Sequence, residues 1–371
     1  MDARASVRTV ADTLTARTLN RTTLQRQLLL ERAPVDTLSA VHQLVGLQAQ
    51  VPTNPYAALW SRLEPFAASD LGTLLVEREV VRIASIRGTI HLLTADDCLA
   101  FWPLFRPVFD RELVAHPEVG PALVDVDLAP VLKWARALLS KEPLALPALR
   151  AALGERFPEH DAAALAFACR NHLALVQVPP RGLLGRSHQV TVTTAEAWLG
   201  RPLAASPSVD ELVVRYLRAF GPATAADVAT WSRLTGIAAV LDRLGGQLRQ
   251  WHDEHGRTLW DVADGELADP EISAPVRLLP EYDNVLLSHA DRSRFFGSEP
   301  ASALYPAGQL GRGHVLVDGY LRGSWRRGDG RLDVLHLPLP RGDVDEMIDE
   351  ATRLAAFLHP DDPPVVSATA V

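Results

Sequence analysis

The chain has 371 residues, and at about 100–200 residues per domain this length predicts two to four domains rather than one core. Apolar residues make up 47% and charged residues 22% of the chain, which excludes wholesale disorder, collagen-like repeats and a polytopic membrane protein. Because 37 basic residues face 45 acidic ones, the net charge is −8, so a nucleic-acid surface has to be a local basic patch.

Neither a membrane segment nor a disulfide framework is predicted. No apolar run approaches the roughly 18–20 residues of a membrane helix, and the N-terminus lacks the apolar core of a signal peptide. Cys98 and Cys169 stand far apart in helix-like stretches, which favours buried free thiols over a disulfide or a zinc site. We therefore expect a cytoplasmic protein without membrane contact.

The first predicted elements are three helices and a hairpin. Asn20 or Thr22 would cap the first helix, and the spacing of apolar residues predicts a second helix from Thr37 to Gln48. A third helix is predicted from Ser69 to Arg78, capped by its first or second residue. The β-branched run at 80–93 has a central glycine and predicts a bent hairpin, or wing.

This order of elements recurs twice along the chain. Helices are predicted at 128–142, 146–153 and 161–173, before strands at 175–178 and 189–193, and again at 210–220, 225–233 and 237–244, before strands within 248–262. Three helices followed by a two-stranded ribbon is the order of a winged helix-turn-helix. Three occurrences of one order indicate tandem winged helices.

Beyond residue 272 the pattern changes to short apolar runs broken by glycine, which predict a small β domain, open or barrel-like. A helix over 344–358 would close it, and the tail after Pro360 is predicted to be frayed. The predicted fold is therefore α+β, with tandem winged helices and a β-barrel-like domain. Its segments are an N-terminal extension (1–17), three winged helices (18–120, 121–204 and 205–268) and the β domain with its closing helix (269–371).

Several common enzyme classes are excluded by missing motifs. Neither lysine, Lys133 or Lys141, follows a glycine-rich phosphate loop, and no GxGxxG, HExxH or GxSxG motif is present. ATPases, dinucleotide enzymes, zinc peptidases and α/β-hydrolases are thus excluded. We expect no metal and no cofactor.

Arginine is concentrated in two stretches of this acidic chain. Residues 1–33 hold six arginines against three acidic residues, and residues 312–331 hold five against two. In the second stretch they alternate with aromatic residues in a glycine-rich ribbon, which favours contacts to DNA phosphates or a groove. A solvated arginine face is the alternative. The candidate DNA contacts are Arg21, Arg87, Arg292, Arg294, Arg322, Arg326 and Arg327.

The segment Gln48-Ala49-Gln50 is the main candidate for chemistry. Side chains two residues apart on a helix diverge by roughly 200°, but Pro52 disfavours helical geometry just before it, so the helix should end here and let the glutamines converge. Paired amides can orient a water or stabilise a developing sugar cation, although they are not strong bases. A capping or surface role is the alternative.

Long strings of this sequence resemble a bacterial family of tandem winged-helix DNA glycosylases, the AlkZ and YcaQ type. They span nearly the whole chain in the family's order: LNRTTLQRQLLLERA, GLQAQVPTNPYAALWSRL, IRGTIHLLTADD, FGPATAADVATWSRL, LLPEYDNVLLSHADRSRF and VLVDGYLRGSWRR. The AlkZ-like branch is similar in carrying Gln-x-Gln at its active site, whereas the YcaQ-like branch has Asp at the second position. Gln50 therefore places this chain nearer the AlkZ-like branch.

The resemblance implies hydrolysis of the N-glycosidic bond of bulky 7-alkylguanine, including guanines in interstrand crosslinks, with Gln48 and Gln50 catalytic. It also implies self-resistance to a DNA-alkylating natural product such as azinomycin. The chemistry is consistent, because an alkylated guanine is already cationic and leaves without a general acid. Lys133 and Lys141 lie away from the motif, so no amine is placed for a lyase step. We expect a monofunctional, monomeric glycosylase acting on double-stranded DNA with alkylated or crosslinked guanine, associated with the nucleoid when bound.

Four further residues are possible supporting groups. His91, on the predicted wing, would contact DNA near the lesion or orient Gln48; a structural hydrogen bond is the alternative. Glu281 or Asp283 would supply a general base beside Asn284, with turn formation as the alternative.

Two other functions remain open from the sequence. A winged-helix transcriptional regulator would bind undamaged DNA as a dimer on half-sites one helical turn apart. A damage-binding protein without turnover would prefer the lesion but leave no abasic product.

Overall fold

The computed structural model describes residues 13–296, 301–305, 311–328 and 331–371. The chain forms two compact units. One unit, here the motif unit, combines Ala33–Leu212 with Trp231–Thr235. The other, here the terminal unit, combines the chain up to Arg32 with Val213–Thr230 and Gly236–Val371. The division into three winged helices stays a prediction.

The helices and strands are numbered in chain order. The helices are α1 (Ala16–Arg26), α2 (Thr37–Gln43), α3 (Asn54–Trp60), α4 (Ala68–Val76), α5 (Ala95–Phe101), α6 (Arg106–Ala115), α7 (Val119–Ala122), α8 (Leu128–Leu139), α9 (Leu146–Arg156), α10 (Ala162–His172), α11 (Ala195–Leu199), α12 (Val209–Phe220), α13 (Ala225–Ser232), α14 (Ile237–Leu244) and α15 (Arg341–Leu358). The strands are β1 (Thr13–Leu14), β2 (Leu47–Gln48), β3 (Val80–Ala84), β4 (Ile90–Thr94), β5 (Leu144–Ala145), β6 (Leu175–Gln177), β7 (Thr191–Thr194), β8 (Leu248–Asp253), β9 (Thr258–Val262), β10 (Arg277–Leu279), β11 (Gly313–Val317), β12 (Tyr320–Arg327), β13 (Arg331–His336) and β14 (Val365–Ala370).

The motif unit is built on a six-stranded sheet in the order β2-β4-β3-β6-β7-β5. Strands β3 and β4 form the predicted hairpin, whose tip contains Arg87 (φ 58°) and Gly88 (φ 74°). Strand β3 also pairs with β6, with Arg82 opposite Gln177. The two predicted wings of this unit therefore lie in one continuous sheet. Helices α8, α9 and α10 pack around a core that includes the fully buried Leu165.

Helix α2 ends earlier than the apolar spacing predicts. It stops at Gln43, and Val45 (φ 54°) and Gly46 (φ 85°) turn the chain before β2 begins at Leu47. The predicted helix through Gln48 is therefore wrong. The physical reason is tertiary, because residues 47–48 pair antiparallel with β4.

The predicted helix caps are also wrong. Helix α1 is capped by Thr15, whose side chain accepts from the Thr18 N–H, whereas Asn20 and Thr22 lie inside the helix and are buried. The Asn20 side chain instead donates to backbone carbonyls of Arg294 and Gly319, at 2.7 and 2.8 Å. A capping residue and a buried tertiary hydrogen-bonder look alike in the sequence, because both roles use the same short polar side chains.

Helix α4 begins at Ala68, one residue before the predicted start. Its N-cap is Ala67, and the Asp70 carboxylate accepts from the Ala67 N–H at 2.9 Å. Asp70 thus stabilises this end from the first turn rather than from the cap position, as an acidic residue near a helix N-terminus does.

The terminal unit contains a three-stranded sheet, β1-β8-β9, and a five-stranded sheet that runs β10-β11-β12-β13-β14. The predicted strands around 255–257 are confirmed as the β8–β9 hairpin. The five-stranded sheet is open, so the β-barrel-like prediction is wrong. One of the short apolar runs that predict the β domain, at 285–287, belongs to a 3-10 helix, Asn284–Leu287, rather than to a strand.

The C-terminal tail is ordered, which corrects the prediction of a frayed end. Strand β14 pairs parallel with β13, with Val365 opposite Arg331 and Ala370 opposite His336. Its side chains are largely exposed, so backbone pairing holds it. A sequence pattern based on burial cannot detect such a strand.

The prediction of buried free thiols agrees with the structure. Cys98 and Cys169 are buried free thiols, and burial raises the pKa of each to about 12. Within the described ranges, every helix is too short or too polar to cross a bilayer.

Candidate active site around Gln48 and Gln50

The backbone places both glutamines on one side of an extended segment. Gln48 lies opposite His91 in the β2–β4 ladder, and the Ala49 N–H continues it by donating to the Ile90 carbonyl at 2.8 Å. In an extended chain, side chains two residues apart point to the same side. The predicted convergence of Gln48 and Gln50 thus has a different cause, since the segment is a strand end rather than a helix end.

The Gln48 side chain is held by the hairpin tip. It is 9% exposed, and its Oε1 accepts from Nη2 of Arg87 at 3.0 Å. Nη1 of Arg87 donates to the Trp231 carbonyl at 3.3 Å. Burial lowers the pKa of Arg87 to about 10, with a further contribution from the positive charge of Arg233. Because a guanidinium only donates, this contact orients the Gln48 amide with its oxygen toward Arg87.

Gln50 is exposed, and its amide is also oriented. Its Oε1 accepts from the backbone N–H of Ile90 at 3.2 Å. Both glutamine oxygens therefore face fixed donors on the β3–β4 hairpin. Each keeps a second lone pair and an NH₂ group, which suffice to orient a water or a substrate dipole.

Arg82 supports the peptide between the two glutamines. This side chain, on the central strand β3, is 1% exposed, and its Nη2 donates to the Ala49 carbonyl at 2.8 Å. Burial is the main cause that lowers its pKa to about 10. The sequence interpretation missed Arg82, although an arginine inside the apolar run Val80–Ala84 was an available signal.

His91 is fully buried, which argues against its predicted contact with DNA. Its Nδ1 lies 3.1 Å from the Thr89 carbonyl oxygen, so this nitrogen donates a structural hydrogen bond. Directly opposite residues of an antiparallel pair share one face of the sheet, which places His91 beside Gln48. Orientation of Gln48 by His91 stays a prediction.

The three polar residues after Pro280 lie in the terminal unit. Asp283 is buried, and its carboxylate accepts from the Val285 N–H at 3.0 Å at the start of the 3-10 helix. Asn284 is buried as well, and Glu281 hydrogen-bonds Tyr282, which raises the pKa of that phenol. The cap made by Asp283 is the turn chemistry given as the alternative. A supporting role of Glu281, Asp283 or Asn284 stays a prediction.

Two of the candidate DNA contacts are buried. Arg21 is fully buried, forms an ion pair with Asp318 and donates to the Ile272 carbonyl at 2.7 Å. Arg294 is 6% exposed and donates to Oγ1 of Thr23 at 3.1 Å. Both guanidinium groups are held by contacts within the terminal unit, so neither lies at the surface as the sequence predicts. Arginine density in a sequence records charge but not which guanidinium groups reach the surface.

The four other candidate arginines of the terminal unit keep surface access. Arg292, Arg326 and Arg327 are exposed, and Arg322 is half-buried. Nε of Arg326 lies 3.3 Å from an oxygen of Asp333, and Nε of Arg327 donates to His359 at 2.8 Å. DNA contact by these four residues stays a prediction, and Arg87 is engaged with Gln48 instead.

Among the residues that the structure describes, His, Cys, Asp and Glu form no group of three or more that could hold a metal ion.

Repeated helix–hairpin order is typical of DNA-binding proteins, and oriented amides that can hold a water suit a hydrolase. These features fit the class of DNA-processing hydrolases. The family described as "DNA glycosylase AlkZ-like" matches residues 41–357. The chain belongs to this AlkZ-like DNA glycosylase family.

Two relatives are similar over most of the chain. A curated protein of Streptomyces sahachiroi, named interstrand DNA cross-link repair glycosylase, is 26% identical over 355 residues, covering 85% of this chain and 88% of the relative. The solved structure of Streptomyces sahachiroi DNA glycosylase AlkZ is 20% identical, with a TM-score of 0.78, covering 96% of this chain and 100% of that one. The latter likeness establishes the mixed α+β fold.

Proposed function

We propose that this chain is a monofunctional DNA glycosylase that hydrolyses the N-glycosidic bond of bulky 7-alkylguanine and unhooks interstrand crosslinks. Its family and the name of its curated relative support the substrate class. The observation that carries the site assignment is the pair Gln48 and Gln50, whose amide oxygens accept from fixed donors on one hairpin.

The glutamines act on the sugar and the water rather than on the base. An alkylated guanine carries a positive charge and leaves as a neutral base, so the barrier lies in forming an oxocarbenium-like sugar and placing water against it. The free lone pairs of the two amide oxygens orient that water and stabilise the sugar cation. The proton that water releases passes to solvent, to which Gln50 is exposed.

Preorganisation explains why amide groups, which are not strong bases, suffice for this reaction. Arg87 and the Ile90 N–H hold the amides before substrate arrives, so little reorientation is needed during the reaction. The energetic benefit comes from fixed dipoles, not from a strong base.

The product is an intact abasic strand. The two lysines lie in another part of the motif unit, Lys133 on α8 and Lys141 shortly after it. A lyase step requires an amine that attacks the sugar, and none is proposed here. We also propose that the protein acts as a monomer and provides self-resistance to a DNA-alkylating natural product.

The test is base release from a duplex that carries one 7-alkylguanine, with hot alkali to cut the abasic sites. Gln48→Ala and Gln50→Ala are each expected to slow base release by about 100-fold or more, as loss of a preorganised polar group does. Gln189→Ala, at an exposed position of the same unit, is the matched control and should leave the rate unchanged. Without alkali, the strand should stay uncut.

Three results would contradict the proposal. Unchanged base release in both variants, with circular dichroism showing an intact fold, would remove the glutamines from the chemistry. Tight binding to undamaged duplex without any base release would indicate a regulator. Lesion preference without an abasic product would indicate a damage-binding protein.

A further inference from the structure

Arg82 has more hydrogen-bonding capacity than the protein uses. Its side chain is 1% exposed, and Nη2 is occupied by the Ala49 carbonyl at 2.8 Å. Its Nε and Nη1 are buried, and among the described residues neither has a hydrogen-bond partner. Buried donors are almost always satisfied, so two open donors on one guanidinium require a further partner.

The positive charge around Arg82 is also uncompensated. No carboxylate among the described residues lies within ion-pair distance of Arg82 or of its neighbour Arg181. Arg181 binds the His188 carbonyl through Nη1 at 2.9 Å, and its buried Nε has no partner in the described structure. Two adjacent cations without a counter-ion are costly to bury, and the charge of Arg181 contributes to the lowered pKa of Arg82.

A glycine-bearing loop covers these open donors. A Cβ atom on Gly182 would lie 2.7 Å from Cδ of Arg82 and 3.4 Å from its Nη1, so only glycine allows this approach. The hydroxyl of Tyr56, on α3, donates to the Gly182 carbonyl at 3.0 Å and accepts from the Leu184 N–H at 3.1 Å. The loop over 180–186 is thus attached to the segment that follows the glutamine motif.

We propose that Arg82 and Arg181 form an anion site that binds one phosphate of a DNA strand. The occupant rests on the proposed function, because DNA is then the anion brought to this unit. Arginine presents several donors in one plane, which suits a phosphate. Since Arg82 also holds the Ala49 carbonyl, occupation of the site would link the position of the DNA backbone to that of Gln48 and Gln50.

Binding requires the loop over 180–186 to lift from Arg82. The hydrogen bonds of Tyr56 to Gly182 and Leu184 would then open. Amide hydrogen exchange at Leu184 is therefore expected to become faster when undamaged duplex binds. Binding at an interface usually has the opposite effect and slows exchange. Slower or unchanged exchange at Leu184 would contradict entry by this route.

The decisive experiment is the salt dependence of binding to an undamaged duplex. One phosphate contributes about 0.9 to the slope of log K against log salt concentration. Because the two arginines share one phosphate, Arg181→Gln and Arg82→Gln are each expected to reduce the slope, by at most about that amount. Arg201→Gln is the control, because Arg201 already faces Asp96 at 2.7 Å in the same unit, and its slope should match the wild type.

The outcomes separate this site from the proposed function. The Arg181 side chain is half-buried, so its substitution carries little risk of misfolding. An unchanged slope in Arg181→Gln would overturn the proposal, and buried waters would then be the partners of the open donors. Arg82→Lys keeps the charge and should retain most of the slope, which distinguishes lost charge from lost folding. If the wild type binds with the larger slope but releases no base, the proposed function fails while the anion site stands.

Discussion

At the scale of single residues, the notable feature is the use of arginines as supports rather than as surface charge. Arg87 has a left-handed backbone (φ 58°), which non-glycine residues seldom adopt, and its guanidinium joins Gln48 to the Trp231 carbonyl. Such strain persists where the surroundings hold it and is common at functional sites. The sequence predicts a DNA contact for Arg87, whereas its hydrogen bond to Gln48 leads us to propose a positioning role for it.

Substitution at Arg87 tests this assignment. Arg87→Met removes both hydrogen bonds and should slow base release by about 10-fold to 100-fold, while affinity for undamaged duplex stays within about 2-fold. Arg87→Lys can donate to one partner but not reproduce the planar fork, so its rate should be intermediate. Single-turnover rates at saturating enzyme and duplex titrations make the measurement. Weaker binding with an unchanged single-turnover rate would instead identify Arg87 as a phosphate contact.

At the scale of elements, the turn before β2 sets the position of the motif. Val45 and Gly46 both have positive φ, and they convert the end of α2 into a strand that pairs with β4. A Cβ on Gly46 would lie 2.4 Å from Cδ2 of Leu93 and 2.8 Å from the Leu92 carbonyl oxygen. Two constraints, backbone conformation and close approach, thus require glycine here.

The Gly46→Ala variant should lose about 2–4 kcal/mol of unfolding free energy, because strain and overpacking add. Gly200→Ala is the matched control in the same unit. It has φ 66° with open space around the position, so strain alone should cost about 1 kcal/mol. Urea denaturation of both variants makes the comparison. Equal losses of unfolding free energy in the two variants would show that the close approach to β4 adds nothing to the cost of the substitution.

At the scale of the whole molecule, the terminal unit is assembled from segments that lie far apart in the chain. The terminal unit joins α1 to segments more than 200 residues away, for example through the ion pair of Arg26 and Asp261 at 2.7 Å. It also contains the buried His289 and the half-buried His314, and desolvation lowers their pKa to about 3 and about 4. Burial of neutral imidazole makes the stability of this unit sensitive to mild acid.

The direction in which the stability changes with pH follows from proton linkage. The unfolded chain protonates His314 near its ordinary pKa of about 6.5, whereas the folded state resists protonation until about pH 4. The contribution of neutral His314 to the free energy of unfolding is therefore fully present above about pH 6.5. It is lost as the pH falls toward about 4. His314→Gln keeps an acceptor for the Tyr305 hydroxyl, which lies 2.5 Å from Nδ1, and should flatten this dependence. Urea denaturation between about pH 7 and about pH 4.5 tests it, and identical slopes in both proteins would contradict it.

The sequence by itself determined those features that local patterns encode. The alternation of β-branched residues predicted the β3–β4 hairpin, and most helix positions followed from apolar spacing within a few residues. The long family-like strings, including Gln48 and Gln50, indicated the AlkZ-like family that the comparison with known proteins establishes. Such patterns succeed because periodicity and turn chemistry act over a few neighbouring residues.

Only the tertiary structure decided which residues are paired and buried. It placed Gln48 on a strand, ordered the tail as β14, and buried Arg21 against Asp318. It also brought Arg82 beneath Ala49, next to the loop that carries Gly182. Each of these contacts joins residues far apart in the chain, and a local pattern records the type of a side chain but not the partner that folding brings to it.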